Sequence, residues 1–295
     1  MQPTKETAAL ASTNSLGRKL RYASWNLNGR TKLTGQQTLL EEAAPDIFAC
    51  QEVTSTLFEK LMATRFFDWG ACSLELRPPR IGEGRGRQLG CALFGKLPLK
   101  VLEFSILDSV PFPERTIVAL IEAPWGRFRS CSFHVPPGAS WGKLKPQTAV
   151  EIARWLSAQV EPTIFGIDAN APKTDHPDHM QNEWWWADEP KLLGPAPLHH
   201  LHDTLRVYLR ANPHVAAEMV TRYPNGPLAV PHERKRGSVR TKCRYDFIYA
   251  TDNFGVDKVE YCYERACQAG SDHALVLSDL VFHAKEDRGR GQTIA

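Results

Sequence analysis

The chain has 295 residues, 42% of them hydrophobic, with a formal net charge of +3. That length supports one large core or two modest ones, and so small a charge is no argument by itself for a polyanionic partner. No stretch reaches the roughly 18 consecutive apolar residues of a membrane span, and seven scattered cysteines with no CxxC pair favour free core thiols in a reducing compartment over a disulfide scaffold.

In chain order, MQPTKETAALASTNSLGRKL lacks the apolar stretch of a secretory signal and predicts a flexible tail over 1–18. The polar end predicts a second over 284–295. LRYASWNL (20–27) alternates and then meets Asn28-Gly29, as a strand entering a turn does. GQQTLLEEAA predicts a helix ending before Pro45. DIFACQEV predicts a buried strand with Gln51-Glu52 at its end, and the spacing over Ser55 to Ala63 a second helix. WGACSLEL, LGCALFG, LKVLEFSIL, TIVALIEA and FRSCSFHV predict further strands. LKPQTAVEIARWLSAQV carries Val150, Ile152, Trp155, Leu156 and Val160 on or near one helical stripe. PTIFGIDAN predicts a buried strand ending in acidic and amide residues.

Over 173–231 the pattern weakens into an expected insert, with Trp184-Trp185-Trp186, a His-rich LHHLHD and a helical HDTLRVYLRA. RYDFIYA, DKVEYCYE and HALVLSDLVF predict closing strands. There is no repeat at a fixed period. Two groups of strands with interspersed helices predict two packed sheets flanked by helices, in one domain over 19–283.

Polar residues recur where apolar strands stop: Asn26 and Asn28, Glu52, His134, Asp168 and Asn170, Asp246, then Asp272 and His273. Strand ends on one rim of a sheet commonly display catalytic groups. Asp, Glu and Asn offer hard oxygen ligands suited to magnesium or manganese rather than zinc, and histidines can move protons or stabilise phosphate charge. Taken singly each piece is bland: Asp-x-Asn is a turn, SDH a cap, Glu52 a solvated strand end. The ordered set carries the weight.

The series WNLNG, CQE, SFHVPPG, GIDANAP, RYDFIYA and GSDHALV resembles the motif set of the endonuclease/exonuclease/phosphatase superfamily, over roughly Leu20 to Phe282. The resemblance implies a DNase I-like, four-layer α/β/β/α sandwich of two mostly antiparallel sheets, with the site at the top of the sheets. It implies Glu52 as principal ligand of Mg2+ (or Mn2+), helped by Asn28 and Asp272. Asn26 and Asn170 would hold the scissile phosphate, and Asp168 would orient or deprotonate the attacking water. His273, oriented by Asp246, would act as base or charge stabiliser. His134 would donate to a phosphate oxygen or protonate the leaving group. The physics agrees: a metal activates water and neutralises charge at phosphorus, and each preorganised donor is worth on the order of 2–4 kcal/mol.

The choice of ester is less sharply written. RPPRIGEGRGR holds Arg77, Arg80, Arg85 and Arg87, and HERKRGSVRTKCR holds Arg234, Lys235, Arg236, Arg240, Lys242 and Arg244. As rim loops they would straddle a nucleic-acid backbone; as ordinary charge runs they would be solvated faces. The tryptophan cluster would stack on bases or pack the insert down. His176, His179, His199, His200 and His202 lack a ligand spacing and fit packing better than a second metal. TRYPNG and His134 depart from the abasic-site endonucleases, which speaks against a dedicated abasic-site enzyme.

The expectation is therefore a Mg2+-dependent nuclease with DNA as its partner and substrate, cytoplasmic, with nucleoid or nucleus also open. The alternatives are a phosphatase or phosphodiesterase on a phosphoinositide, phospholipid headgroup or protein–nucleic-acid adduct, and a non-catalytic nucleic-acid-binding module.

Overall fold

Apolar residues two apart along a strand share a face, and here both faces of most strands are apolar, so the strands must be covered on two sides. A computed structural model of the chain describes residues 18–29, 33–236 and 238–283. The expected tails, Arg18 apart, and the side chains of Arg85, Lys235 and Arg236 lie outside the described residues.

One sheet runs, in spatial order, β13 (Phe254–Cys262), β14 (Leu275–Phe282), β1 (Lys19–Asn26), β2 (Ile47–Val53), β4 (Gly90–Gly95) and β3 (Trp69–Cys72). The other runs β5 (Lys100–Ser105), β6 (Thr116–Ala123), β7 (Gly126–His134), β8 (Thr163–Asp168), β12 (Asp246–Ala250) and β9 (His202–Asp203). Neighbours are antiparallel except β1–β2 and β7–β8. A parallel pair requires a crossover, which α1 (Thr34–Ala43) and α3 (Leu144–Ser157) supply. With α2 (Ser55–Ala63), whose first turn is capped by Thr54 Oγ1 accepting from Leu57 N at 3.2 Å, these are three of the four expected helices, and the fourth, in HDTLRVYLRA, forms over Thr204–Ala211.

Leu20, Ile47, Ile117, Phe128, Ile164 and Phe282 fill the space between the sheets. Leu39, Leu40, Leu57 and Leu61 of α1 and α2 pack on the outer face of the first sheet with Phe48 and Phe94. Ile152 and Leu156 of α3 pack on the second with Phe133 and Phe165. Burying each such side chain contributes about 1.5–3 kcal/mol. The result is the expected α/β/β/α sandwich. All seven cysteines are free, and five are buried. No described helix is long and apolar enough to cross a membrane.

Two expectations need correction. WGACSLEL is not one strand: β3 stops at Cys72 and Ser73–Leu76 forms a helical turn. The Ser73 hydroxyl donates to Glu114 O at 2.5 Å and accepts from Cys91 N at 2.9 Å, which holds the turn. The basic segment before Asp246 is not a loop: β10 (His232–Arg236) and β11 (Val239–Cys243) pair as a hairpin separate from both sheets.

Candidate active site

The layer between the sheets changes character along its length. In β1, Leu20 and Tyr22 face the other sheet, and the same parity aims Ser24 and Asn26 there. In β7 it aims Phe128, Ser130, Ser132 and His134; in β8, Ile164, Gly166 and Asp168; in β12, Asp246 with Ile248. Apolar residues fill one end. In the middle Tyr22 Oη donates to Cys131 O at 2.9 Å, and Gln51 Nε2 donates to Ser132 Oγ at 3.0 Å. The sheets approach so closely there that a Cβ on Gly166 would lie 2.4 Å from Ser24 Oγ. Charged groups occupy the far end, at the C-termini of the two parallel pairs, where α/β folds collect ligands.

Glu52 reaches this end by breaking the alternation. Gln51 faces the other sheet, so a regular strand would turn Glu52 toward the helices. A register shift between Gln51 and Val53, with Glu52 at φ 54°, bulges the strand. The Glu52 carboxylate then lies 3.8 Å from His134 Nε2.

Asp168 is the hub. Its Oδ2 accepts from Asn26 Nδ2 at 2.8 Å, and its Oδ1 accepts from the Asn170 backbone at 3.0 Å. His134 Nε2 lies 3.6 Å and His273 Nε2 3.9 Å from Asp168 Oδ2. His273 Nδ1 donates to Asp246 Oδ2 at 2.8 Å. The loop before β14 is pinned to put it there: Ser271 Oγ donates to Asn26 O at 2.6 Å and accepts from His273 N at 3.0 Å, and Trp25 Nε1 donates to His273 O at 2.9 Å. Asn170, at φ 49°, donates to Val135 O at 3.0 Å.

The two imidazoles are driven apart in charge. Burial opposes protonation of His273, but Asp246 and Asp168 prevail and raise it to about 10. Burial, with Arg115 and His273 adding to it, holds His134 well below its usual range. Arg115 Nη1 lies 2.8 Å from His134 Nδ1 and 3.1 Å from its Nε2, and since a guanidinium only donates, the imidazole accepts from it. Burial raises the carboxyls of Glu52, Asp168 and Asp246, with His273 pulling each back.

Sequence reading missed three contributors. Arg115, 3% exposed, sits in PFPERT with no pattern to mark it. Lys145, on α3, donates to Asn170 O at 2.7 Å and pairs with Glu189 at 2.5 Å. His232 stacks on His273 with centroids 4.5 Å apart.

Asn28, at φ 54°, donates its backbone N–H to Asn26 Oδ1 at 2.8 Å, and Gly29 N donates to Glu52 O at 3.1 Å, so their turn lies against Glu52. Asp272 is exposed and groups with His232 and His273 rather than with Glu52. Arg244 is no rim contact: it is buried and donates to both Asp203 oxygens at 2.7 Å. Arg77 and Arg87 are largely consumed by Glu83 and Glu114, at 14% and 17% exposure. Arg80, Arg240 and Lys242 are exposed, and Arg234 is half-buried. The insert histidines form no ligand cluster among the described residues. Trp184 packs on the core of the second sheet, whereas Trp185 and Trp186 line a cavity.

The donors fit a hard divalent ion. Glu52, Asp168, Asp246 and Asp272 outnumber the cations Arg115 and His273, and Asp246 Oδ1 is buried without a hydrogen-bond partner. Among the described residues no cysteine joins them, so oxygen dominates, as magnesium and manganese require.

A model described as "Endonuclease/Exonuclease/phosphatase family" matches residues 23–273. No curated protein sequence matches the chain. Among solved structures, the chain is similar to D. rerio TDP2 complexed with single strand DNA product, with TM-score 0.62 and 15% identity over 89% of this chain and 98% of that one. It is similar to the human Nocturnin catalytic domain with bound sulfate anion, with TM-score 0.60 and 16% identity over 90% and 95%. It is also similar to an endonuclease/exonuclease/phosphatase from Bacteroides vulgatus, with TM-score 0.59 and 17% identity over 90% and 99%. At these identities the likeness is one of fold.

Proposed function

The chain belongs to the endonuclease/exonuclease/phosphatase family of divalent-metal-dependent phosphoric ester hydrolases, and from that premise we propose that it is a Mg2+-dependent nuclease acting on DNA. The observation that carries this reading is the convergence of Asp168, His134 and the His273–Asp246 pair within 4 Å contacts beside Glu52.

Glu52 would hold the ion, with Asn28 as a further oxygen donor, and an ion held there would supply the charge that neutralises the phosphate's non-bridging oxygens. Asp168, fixed by Asn26 and the Asn170 backbone, orients the attacking water and accepts its proton. His273, held by Asp246, offers Nε2–H to a phosphate oxygen. His134, held by Arg115, would donate a ring N–H to the phosphate or leaving group. The amides of Asn26 and Asn170 border the same space and position the phosphate. Each donor acts without reorganising at the moment of reaction, which is where electrostatic catalysis gains most.

Nucleic acid is favoured over a small ester by the solvent-accessible cations Arg80, Arg234, Arg240 and Lys242, which suit repeated phosphates. One similarly folded protein, D. rerio TDP2, has been crystallised with a single-strand DNA product. The test is hydrolysis of single- and double-stranded DNA and RNA with Mg2+ or Mn2+, with Asp168→Asn as control. DNA cleavage that EDTA and the substitution abolish is expected. Hydrolysis confined to a phosphoinositide or other small ester would overturn the nuclease assignment, and salt-sensitive DNA binding without turnover would overturn catalysis itself.

A further inference from the structure

A cavity of about 450 Å3 opens beside the site, lined by Asn170, His232, Trp185, Trp186, Arg234 and Tyr245. Its size is that of a small-ligand site. Trp185 is 40% exposed, and the Arg234 guanidinium lies 4.9 Å from its ring centroid. Trp186 closes over Gly138, where a Cβ would meet the indole nitrogen at 3.3 Å. The rings of Tyr245, His232 and His273 form a row, with successive centroids 5.7 and 4.5 Å apart. One end of the cavity wall is thus stacked on the imidazole assigned to the reacting phosphate.

The tryptophans are tied to the same machinery. The backbone N–H groups of Trp185 and Trp186 donate to Glu189 Oε2 at 2.9 and 3.3 Å. The other Glu189 oxygen pairs with Lys145, which donates to Asn170 O. Lys145 and Glu189 are each at most 2% exposed. A buried ion pair therefore fixes the aromatic wall relative to Asn170.

From this arrangement we propose that the cavity is a subsite for one unpaired nucleobase flanking the scissile phosphate, so that single-stranded DNA is the preferred substrate. Indole, phenol and imidazole rings offer planar faces to a base, and stacking on such faces is sequence-tolerant. Arg234, already stacked on Trp185, adds a cation beside the adjoining phosphate. A polyhydroxylated headgroup would leave its hydroxyls facing rings and find few acceptors. A base inside a duplex stack is not free to enter. The proposal rests on the nuclease reading and narrows it.

The test compares a single-stranded DNA oligonucleotide with one in which the residue flanking the scissile phosphate is a tetrahydrofuran abasic analogue. Cleavage is measured with Mg2+, and binding of the labelled oligonucleotides by anisotropy in EDTA. Base stacking of about 1–3 kcal/mol converts to a preference of roughly 5- to 150-fold for the base-bearing strand. Trp185→Ala should remove that preference by lowering kcat/KM on the base-bearing strand alone, and Trp185→Phe should restore most of it. Cleavage without base preference, or an equal loss on both strands in Trp185→Ala, overturns the subsite and leaves the nuclease reading intact. Base-dependent binding without cleavage keeps the subsite and overturns the nuclease. Neither binding preference nor cleavage overturns both.

Discussion

Asp168 and Asp246 are register partners across the antiparallel pair β8–β12, both 1% exposed or less, with His273 hydrogen-bonded to one and 3.9 Å from the other. Like charges directly opposite destabilise a sheet, so the imidazolium between them offsets the repulsion and is itself held charged by it. His273→Ala should lower kcat by about 10²–10⁴-fold, the span of a positioned acid–base group. Asp246→Asn should lose activity through the same group. The double variant should then be little worse than His273→Ala. Additive losses in kcat would show that Asp246 acts other than through His273.

Arg115 should be a positioning residue for His134. Its Nη1 donates to the His134 ring, 2.8 Å from Nδ1 and 3.1 Å from Nε2, and its Nη2 donates at 3.0 Å to Gly86 O, which anchors it to the loop before β4. Arg115→Met removes the donor that fixes the imidazole while retaining apolar bulk. The expected result is a kcat reduced about 10–100-fold, the usual effect of losing a partner that orients an active group, with KM little changed. In the His134→Ala background the same substitution should cost little further activity. A purely structural role would instead lower Tm and leave kcat per folded molecule unchanged.

The close crossing of the sheets at Gly166 predicts a stability effect. An added Cβ would lie 2.4 Å from Ser24 Oγ and 2.6 Å from Ser24 Cβ. Both neighbours sit on paired strands, so relief requires separating the sheets. Gly166→Ala should destabilise by about 1–3 kcal/mol or more, read by denaturant titration. Ser24→Ala removes only the hydroxyl and should not rescue it, whereas Ser24→Gly should restore part of the loss. Full rescue by Ser24→Ala would mean that the backbone is free to shift there.

How far the sequence anticipates this arrangement depends on which rule places each residue. Asn26, His134 and Asp168 follow apolar residues at even spacing, so alternation alone aims them between the sheets. Glu52 breaks that rule, because only the bulge turns it toward His134; its motif, not its periodicity, marked it. Arg115 ends a short 3-10 turn over Pro113–Arg115, and nothing local distinguishes it from a solvated arginine. The hairpin of β10 and β11 reads as a charge run because its ladder lies off both sheets, leaving no apolar face to mark it. Arg244 closes that same run yet is buried, since its partners Asp175 and Asp203 come from elsewhere in the chain. The aromatic cavity is invisible for the same reason: Tyr245 and Trp185 meet only after folding.

His199 gives the chain a pH-dependent element remote from the catalytic groups. It is 6% exposed, donates Nε2–H to Leu192 O at 2.8 Å and accepts from Leu201 N at Nδ1, 3.2 Å away. Both nitrogens are satisfied only in the neutral ring; a proton on Nδ1 would face another N–H. Burial accordingly lowers its pKa from 6.5 to about 4. Because the folded value is depressed, the unfolded chain binds the proton first as pH falls. The stabilisation is therefore complete above pH 6.5 and lost progressively between 6.5 and about 4. A displacement of that size corresponds to about 3 kcal/mol. Groups common to both proteins cancel in a comparison with His199→Gln, which lacks the titrating ring. The variant should be the less stable at pH 7.5, and the gap in unfolding free energy should narrow by up to that amount by pH 4. A gap constant across this range would show that His199 titrates alike in both states, and its burial would then carry no pH dependence.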